Sequence, residues 1–311
     1  MVTLYAPIII FVYNRPGHIR YLIDSLKNNP EAKNSRLFVF SDGAKTESDQ
    51  KKVFEVRKYV ESLEQLNLFE SVNVTKSENN KGLADSIIYG VSKVISEYGR
   101  AIIIEDDNIV SPDFLDYMNR GLEFYKNSKK IWAISGFSRQ MTYPKDYCHD
   151  IYFMQRISSY AWATWDNRWN LVKWNIEKYY PSFLYDKKAR RRFDEYGEDR
   201  SLMLDAQVCG KVNSWAIRFE YAMVQNDMYS VFPCISRTRC TGNDGSGTHS
   251  RKEVHTFDTQ ISDGVSPIAF ERFFQDDRIK TEFVKAYKQN WKRKILGNID
   301  YKLLYYRRKN G

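Results

Sequence analysis

The chain has 311 residues, of which 42% are hydrophobic and 28% charged, a composition typical of one large globular domain with or without a helical appendage. It contains no apolar run long enough to cross a bilayer and no basic segment followed by an apolar one, so we expect neither a membrane span nor a signal peptide. Four scattered cysteines without a Cys-x-x-Cys pair, and four histidines without zinc spacing, argue against a zinc site and favour reduced thiols in the cytoplasm.

The net charge of +9 is concentrated near the end of the chain. Residues 281–311 hold nine Lys or Arg against two acids, a net +7, interleaved with aromatic residues and leucines. This mixture favours an anionic membrane surface as a partner. Nucleic acid is not expected, because no recognition motif accompanies the basic residues. The alternative is a basic helix packed on the core with its charges in solvent.

Strands and helices alternate through the first third of the chain. The predicted elements, in order, are strand 6–13, helix 18–27, strand 36–40, helix 47–63, strand 70–75, helix 83–97 and strand 101–104. This alternation predicts an α/β fold with a doubly wound, mostly parallel sheet flanked by helices.

Polar loops follow four of these strands, at Asn14-Arg15, Ser41-Asp42, 80–82 and 105–107. Ligands of doubly wound sheets bind at the carboxyl ends of the strands. The four loops therefore predict a nucleotide pocket at one edge of the sheet.

The segment 101–107 is the most informative part of the sequence. An apolar run delivers three consecutive carboxylates, Glu105, Asp106 and Asp107, to the end of a strand. Adjacent carboxylates repel one another unless a cation lies among them, and oxygen ligands suit Mg²⁺ or Mn²⁺. The alternative is an acidic turn in solvent, which seldom follows four apolar residues directly.

The second half is less regular, with a helix expected over 113–128 and a strand over 131–134. A loop running into a helix is expected over 157–173, where the spacing of Trp162, Trp165 and Trp169 suits one helix face. These tryptophans are expected mostly in the core, with Trp162, at the loop end, as the candidate platform for an acceptor sugar. Further helices are predicted over 201–210 and 214–225, before a glycine-rich loop that begins at Gly242 and ends at His249.

Several motifs occur together in the order found in one enzyme family. They are Tyr-Asn-Arg-Pro at 13–16, Ser-Asp-Gly at 41–43, the segment 80–87, the acid cluster with its Ser-Pro-Asp-Phe sequel, and Ile-Ser-Arg-Thr at 235–238. Together they resemble nucleotide-sugar glycosyltransferases of the A-type fold, in particular N-acetylglucosaminyltransferase I and its bacterial relatives in polysaccharide synthesis. In this chain Glu-Asp-Asp replaces the usual Asp-x-Asp.

The resemblance implies roles for the acid cluster. Asp107 would ligate a divalent metal, Mn²⁺ or Mg²⁺, that bridges the two donor phosphates. Glu105 and Asp106 would orient that site and reach the ribose or base. His249 is similar to the histidine that completes the metal shell in many such transferases, although a histidine alone is more often structural.

The resemblance also implies donor contacts along the neighbouring loops. Asp42 would read the uracil edge, Asn14 and Arg15 would lie near the nucleotide, and Lys81 and Gly82 would form a nucleotide-sugar loop in which the glycine permits close approach. From the residues alone, ordinary strand-ending turns and a solvated lysine are the alternatives.

The general base is the point at which this sequence departs from the family. Its relatives place an acidic pair immediately before a Trp-x-x-Arg helix start, whereas this chain has Asn213-Ser214 there. Asp205, about two helical turns earlier, is the expected substitute, and Asp205→Asn is then expected to lower kcat by about 10²–10⁴. Asp199 and Asp244 are alternatives, as is a retaining enzyme without a base.

The resulting prediction is a metal-dependent glycosyltransferase that moves a sugar from a nucleotide-sugar, with UDP expected, to a saccharide or lipid-linked saccharide in surface polysaccharide synthesis. We expect a nucleotide-sugar-binding half over 1–110, an acceptor-binding and catalytic half of the same domain over 111–255, and a basic helical extension over 256–311. The expected location is the cytoplasm, with peripheral binding to the inner face of the membrane. The alternatives are a non-catalytic glycan-binding protein on a degenerate transferase fold and a nucleotidylyltransferase.

Overall fold

A computed structural model describes residues 5–242, 259–264, 267–290, 297 and 300–306. Its strands are β1 (Ile8–Val12), β2 (Arg36–Ser41), β3 (Ser71–Lys76), β4 (Arg100–Glu105), β5 (Asn108–Val110), β6 (Ile131–Ser135), β7 (Ile151–Met154), β8 (Trp162–Trp165), β9 (Tyr229–Pro233) and β10 (Thr238–Cys240). Its helices are α1 (Pro16–Leu26), α2 (Glu47–Ser62), α3 (Leu83–Tyr98), α4 (Phe114–Tyr125), α5 (Asp166–Trp169), α6 (Tyr180–Tyr185), α7 (Lys187–Phe193), α8 (Arg200–Val208), α9 (Trp215–Gln225) and α10 (Asp277–Val284), and residues 300–306 are also helical.

The strands form one large sheet and one small ribbon. The sheet has eight strands in the order β3-β2-β1-β4-β8-β6-β9-β7, and β10 pairs with β5 in a separate two-stranded ribbon. Strands β1 to β4 are mutually parallel where they pair, β9 is parallel to β6, and β8 and β7 run antiparallel to their neighbours. The predicted α/β fold with a mostly parallel sheet and flanking helices is therefore confirmed.

The central strands are apolar on both faces because helices cover both sides of the sheet. Ile8 and Ile10 of β1 pack in one core, whereas Ile9 and Phe11 pack in the other. All five residues of β1 are buried. This burial explains why the continuous apolar runs in the sequence predicted parallel strands correctly.

Residues 162–165 form strand β8, so the prediction of a loop leading into a helix over 157–173 is wrong for this part. Trp162 pairs with Ile103 of β4, and the short helix α5 begins only at Asp166. Side chains three apart on a strand point to opposite faces, so Trp162 and Trp165 enter different cores. The spacing that suited a helix face was therefore misleading.

A helical layer follows the sheet in the second half. Apolar side chains of α6 to α9 form a third core, against which Tyr305 of the basic segment packs. Within the described ranges no helix is long and apolar enough to cross a membrane.

Candidate functional site

The acid cluster lies at the carboxyl end of β4, next to the carboxyl end of β1. Arg15, which follows β1, donates from Nη1 to Asp107 Oδ2 at 2.9 Å and from Nη2 to Asp106. Asp106 is 2% exposed, and its Oδ2 is buried without a hydrogen-bond partner among the described residues. Three of the predicted donor-site residues, Arg15, Asp106 and Asp107, are thus in direct contact.

The charges of the cluster are not balanced. Burial, then the negative charges of Asp107 and Asp106, raises the pKa of Glu105 to about 8. Burial also raises the pKa of Asp106, although Arg15 partly opposes this rise. Burial lowers the pKa of Arg15, but the two aspartates outweigh it and raise the pKa above its usual value. Two aspartates share one guanidinium, and a cation bound beside them would also favour the ionised form of Glu105.

The ribbon of β5 and β10 brings a second segment against the acid cluster. Thr241, directly after β10, donates from its backbone N–H at 2.6 Å and from its hydroxyl at 2.9 Å to the carbonyl oxygen of Asp107. A Cβ on Gly242 would lie 2.4 Å from Asp107 Oδ2, so a larger residue here would force this carboxylate to shift. The sequence suggested a glycine-rich loop here but not the contact of Thr241 and Gly242 with Asp107. His249 lies outside the described residues.

The donor set fits a hard divalent ion through a single carboxylate. Within the described ranges, no group of three or more His, Cys, Asp or Glu is arranged to hold a metal. Arg15 binds the carboxylates of Asp106 and Asp107. The Asp107 side chain is the more accessible of the two, with 16% of its surface exposed. Mg²⁺ is often bound by one or two protein carboxylates plus substrate phosphates, and Asp107 suits such a site.

Asp42 positions the loop that follows β3. Its carboxylate oxygens accept the backbone N–H groups of Lys81 and Gly82, each at 2.9 Å, and Oδ1 also accepts that of Gly43 at 2.9 Å. The Lys81 ammonium lies 4.6 Å from the centre of the Tyr89 ring. The structure thus joins three predicted donor residues at one rim, with Asp42 occupied by backbone contacts inside the protein.

Asn14 anchors the start of α2. Its amide donates to Asp49 Oδ1 at 2.7 Å, and the Tyr13 hydroxyl donates to Asp49 Oδ2 at 2.9 Å. Asp49 also accepts from the Thr46 side chain in a capping box, and these hydrogen bonds lower the pKa of Asp49 to about 2. The contacts observed for Asn14 are therefore structural.

Trp162 does not offer a face to an acceptor sugar, contrary to our expectation. It is 2% exposed and stacks on Trp215 with ring centres 4.7 Å apart. Trp169 packs on its other side at 5.9 Å. Because strand β8 carries Trp162 into the core, the residue contributes to stability rather than to an open binding surface.

Asp205 also differs from our expectation of an accessible base. It is 1% exposed, and Arg190 donates to both of its oxygens at 2.8 Å, while the Tyr180 hydroxyl donates to Oδ1. Asp199 is engaged in the same way by Arg156, at 3.0 and 2.8 Å. Asp244, the other alternative, lies outside the described residues.

A polar cavity, which sequence reasoning missed, lies beside the segment that leads into β8. Its volume is about 140 Å³, and its polar lining is Arg139, Arg156, Ser158, Ser159, Tyr160 and Tyr287. These residues come from three separate parts of the chain, so no local sequence pattern could have indicated them.

Comparison with known proteins gives one family match. The model of the GNT-I family matches residues 2–193, more than half of the chain, which confirms the resemblance inferred from the motifs. No curated protein matches the chain.

Comparison with solved structures gives weaker similarities. This chain covers less than two thirds of the length of each of the three structures named below. S. aureus TarS is 15% identical over 47% of this chain and 24% of its own, with a TM-score of 0.32. The structure of TarS residues 1–349 is 12% identical over 77% of this chain and 61% of its own, with a TM-score of 0.44. The mannosyltransferase PcManGT from Pyrobaculum calidifontis, in complex with GDP-Man and Mn²⁺, is 14% identical over 52% of this chain and 46% of its own, with a TM-score of 0.36.

Proposed function

This chain belongs to the GNT-I family of glycosyltransferases, and from that premise we propose that it transfers a sugar from a nucleotide-sugar, most simply a UDP-sugar, to a saccharide with the help of Mn²⁺ or Mg²⁺. The observation that carries this proposal is the acid cluster at the end of β4, where Asp106 and Asp107 share the guanidinium of Arg15. An excess of negative charge at a strand end suits a divalent ion together with a diphosphate.

Each residue of the rim has a part in this scheme. When bound, the metal ion would stabilise the negative charge of the leaving diphosphate. Asp107 would hold that ion, and Gly242 and Thr241 keep Asp107 in place. Arg15 is held between two carboxylates and presents its positive charge where phosphate oxygens would lie.

Asp42 contributes by fixing the loop at Lys81 and Gly82. A loop whose backbone N–H groups are already bound loses little conformational freedom when a donor arrives, so less of the binding free energy is lost to ordering. We propose that Lys81 and Gly82 approach the donor and that Asp42 acts through them.

The experiment that tests this proposal compares sugar nucleotides and metal ions. Hydrolysis of UDP-, GDP- and CMP-sugars is measured with Mn²⁺, with Mg²⁺ and with EDTA, for the full chain and for Asp107→Asn. The matched control is Asp116→Asn, an exposed carboxylate that pairs only with Arg120 one turn along α4. We expect one sugar nucleotide to be hydrolysed, and this activity to fall by about 10²–10³ in Asp107→Asn and in EDTA but not in the control.

Each alternative has its own outcome in the same experiment. Undiminished activity in EDTA would contradict metal dependence. Turnover of a nucleoside triphosphate without hydrolysis of any sugar nucleotide would indicate a nucleotidylyltransferase. Binding of saccharides without any turnover would indicate a glycan-binding protein.

A further inference from the structure

The cavity lined by Arg139, Arg156, Tyr160 and Tyr287 includes the segment just before β8, the strand that pairs with β4. Trp162, the first residue of β8, pairs with Ile103 near the acidic end of β4, and Tyr160 precedes it by two residues. Burial raises the pKa of the Tyr160 hydroxyl, and the charges of Cys240, Asp107 and Glu105 raise it further. Tyr160 therefore lines the cavity and lies within electrostatic reach of the carboxylates.

The two guanidinium groups of the cavity differ in whether a carboxylate balances their positive charge. Arg156 forms two hydrogen bonds to the Asp199 carboxylate and lies 3.7 Å from the centre of the Tyr287 ring. Arg139 donates only to carbonyl oxygens, those of Gln140, Glu282 and Phe283.

No carboxylate among the described residues forms an ion pair with Arg139, and its Nε is buried without a hydrogen-bond partner there. A buried guanidinium N–H without a partner is unfavourable, so an anionic group placed beside Arg139 would be stabilised by both charge and hydrogen bonding.

The remaining lining suits a sugar ring. The aromatic rings of Tyr160 and Tyr287 offer flat apolar faces, and the hydroxyls of Ser158 and Ser159 are hydrogen-bonding groups of the kind that bind sugar hydroxyls. The volume of about 140 Å³ is well below the roughly 300–1,000 Å³ of pockets that enclose larger ligands, so a single sugar unit fits better than a nucleotide.

We propose that this cavity is the acceptor subsite and that it takes a saccharide carrying an acidic group, a carboxylate or a phosphate, which Arg139 binds. The proposal rests on the proposed glycosyltransferase function, because it assigns the second substrate of that reaction. It also replaces Trp162, which is buried, as the place where the acceptor sugar meets aromatic rings.

The test measures binding of three small saccharides to the full chain by saturation-transfer NMR and calorimetry. The probes are methyl β-glucuronide, glucose 6-phosphate and methyl β-glucoside, which share a ring and differ in charge. We expect both acidic probes to bind at least fivefold more tightly than the neutral one, and we expect this preference to disappear in Arg139→Gln. The control is Arg278→Gln, an exposed arginine that pairs with Asp146 and Asp276.

A second variant guards against a folding defect, since Arg139 also holds carbonyl groups of α10. Ser159→Asp places a negative charge in the cavity without touching those contacts, and it too should abolish the preference for acidic probes. Equal binding of all three probes, or a preference that survives in Arg139→Gln, would overturn the proposal.

The phosphates of the nucleotide donor are the other anionic groups that Arg139 could bind. Binding of UDP with Mn²⁺ distinguishes a donor site from an acceptor site. We expect UDP affinity to be unchanged within twofold in Arg139→Gln and the glucuronide to bind in the presence of UDP. Competition between the two ligands would assign the cavity to the donor and refute an acceptor subsite. Failure of donor hydrolysis in the wild type would instead refute the proposed function, which saccharide binding alone does not measure.

Discussion

The rim at the end of β4 and the helical layer of α6 to α9 both concentrate charged residues, but they balance them differently. At the rim, Asp106 and Asp107 share the guanidinium of Arg15, and Glu105, whose pKa is raised to about 8, is a third acid beside them. In the helical layer three acids are each paired with an arginine, as Asp199–Arg156, Asp205–Arg190 and Glu220–Arg200. An unbalanced cluster indicates a place for a ligand, whereas a balanced one indicates structure.

The ion pairs of the helical layer are buried. Arg200 is fully buried, Asp205 is 1% exposed and Glu220 is 5% exposed. Glu220 also accepts the backbone N–H of Ile157 at 2.9 Å, which ties the helical layer to the segment that lines the acceptor cavity. The ion-pair network thus contacts a segment that lines the cavity. We expect substitutions in this network to act mainly by lowering the free energy of unfolding.

The largest effect is expected for Asp205→Asn, which breaks the balance of the helical layer. The substitution removes the negative charge that pairs with Arg190, and breaking a buried ion pair costs about 3–5 kcal/mol of unfolding free energy. Thermal and urea unfolding would show this loss, while turnover per folded molecule should remain unchanged. Asp227→Asn is the matched control, because its exposed pairs with Lys130 and Arg192 should contribute about 1 kcal/mol or less.

The opposite pattern would reverse the comparison. If Asp205→Asn lowered kcat by about 10² or more and left the unfolding free energy unchanged, Asp205 would be a general base after all. The ion pair with Arg190 would then have to open during catalysis.

The next largest effect is expected for Gly242→Ala, which sharpens the role of the rim. A Cβ here would lie 2.4 Å from Asp107 Oδ2, so the carboxylate must shift. Displacing a reacting group by about 1 Å can cost about 10² in rate, and we expect donor hydrolysis to fall by about that factor with little loss of stability. Gly17→Ala is the control, since nothing lies within 4 Å of a Cβ at that position in α1.

Full activity in Gly242→Ala would contradict the assignment of Asp107, because a metal ligand that tolerates such a shift is not positioned by its surroundings. The measurement is initial rate of donor hydrolysis at saturating Mn²⁺. A rise in the Mn²⁺ concentration needed for half-maximal rate, at unchanged maximal rate, would place the defect in metal binding alone and would support Asp107 as its ligand.

The rim was predictable from sequence because its information is local. The apolar runs at 6–13 and 101–104 identified β1 and β4, and the polar residues directly after them fell at one edge of a parallel sheet. What the sequence did not reveal is how these residues bind one another, such as Arg15 to Asp107 across 92 positions.

The helical layer and the acceptor cavity were not predictable because their contacts are distant along the chain. Asp205 looked available until Arg190 and Tyr180, 15 and 25 positions away, were found on it. Arg139 meets the carbonyl of Glu282 across 143 positions. Trp162 was misassigned because three tryptophans spaced by three and four fit a helix, whereas pairing with β4 and β6 makes the first two of them part of a strand.

The basic segment 281–311 offers a third region for the comparison, since its positive charges exceed its acids. Where the structure describes it, the segment is divided. Phe283 is 2% exposed and Tyr305 packs on Tyr180 with ring centres 5.3 Å apart, whereas Leu303 and Tyr306 are 53% and 50% exposed. Part of the segment is therefore anchored in the protein, and its exposed residues are of the kind that enter a membrane interface.

The smallest effect is expected for this segment, as weak and salt-dependent binding to anionic vesicles that would bring the enzyme to a lipid-linked acceptor at the inner face of a membrane. Each Lys or Arg near an anionic surface contributes about 1 kcal/mol, but a Debye length of about 8 Å at physiological salt limits how many act together. Flotation with phosphatidylserine vesicles should therefore weaken several-fold when the three basic residues at 307–309 are replaced by Gln.

Deleting residues 281–311 would be a poorer variant, because it removes the buried Phe283. The control replaces Lys51, Lys52 and Lys58, exposed on α2, in the same way and should float like the wild type. Binding that ignores salt, or that falls equally in both variants, would show that net charge rather than this segment directs the protein to the surface.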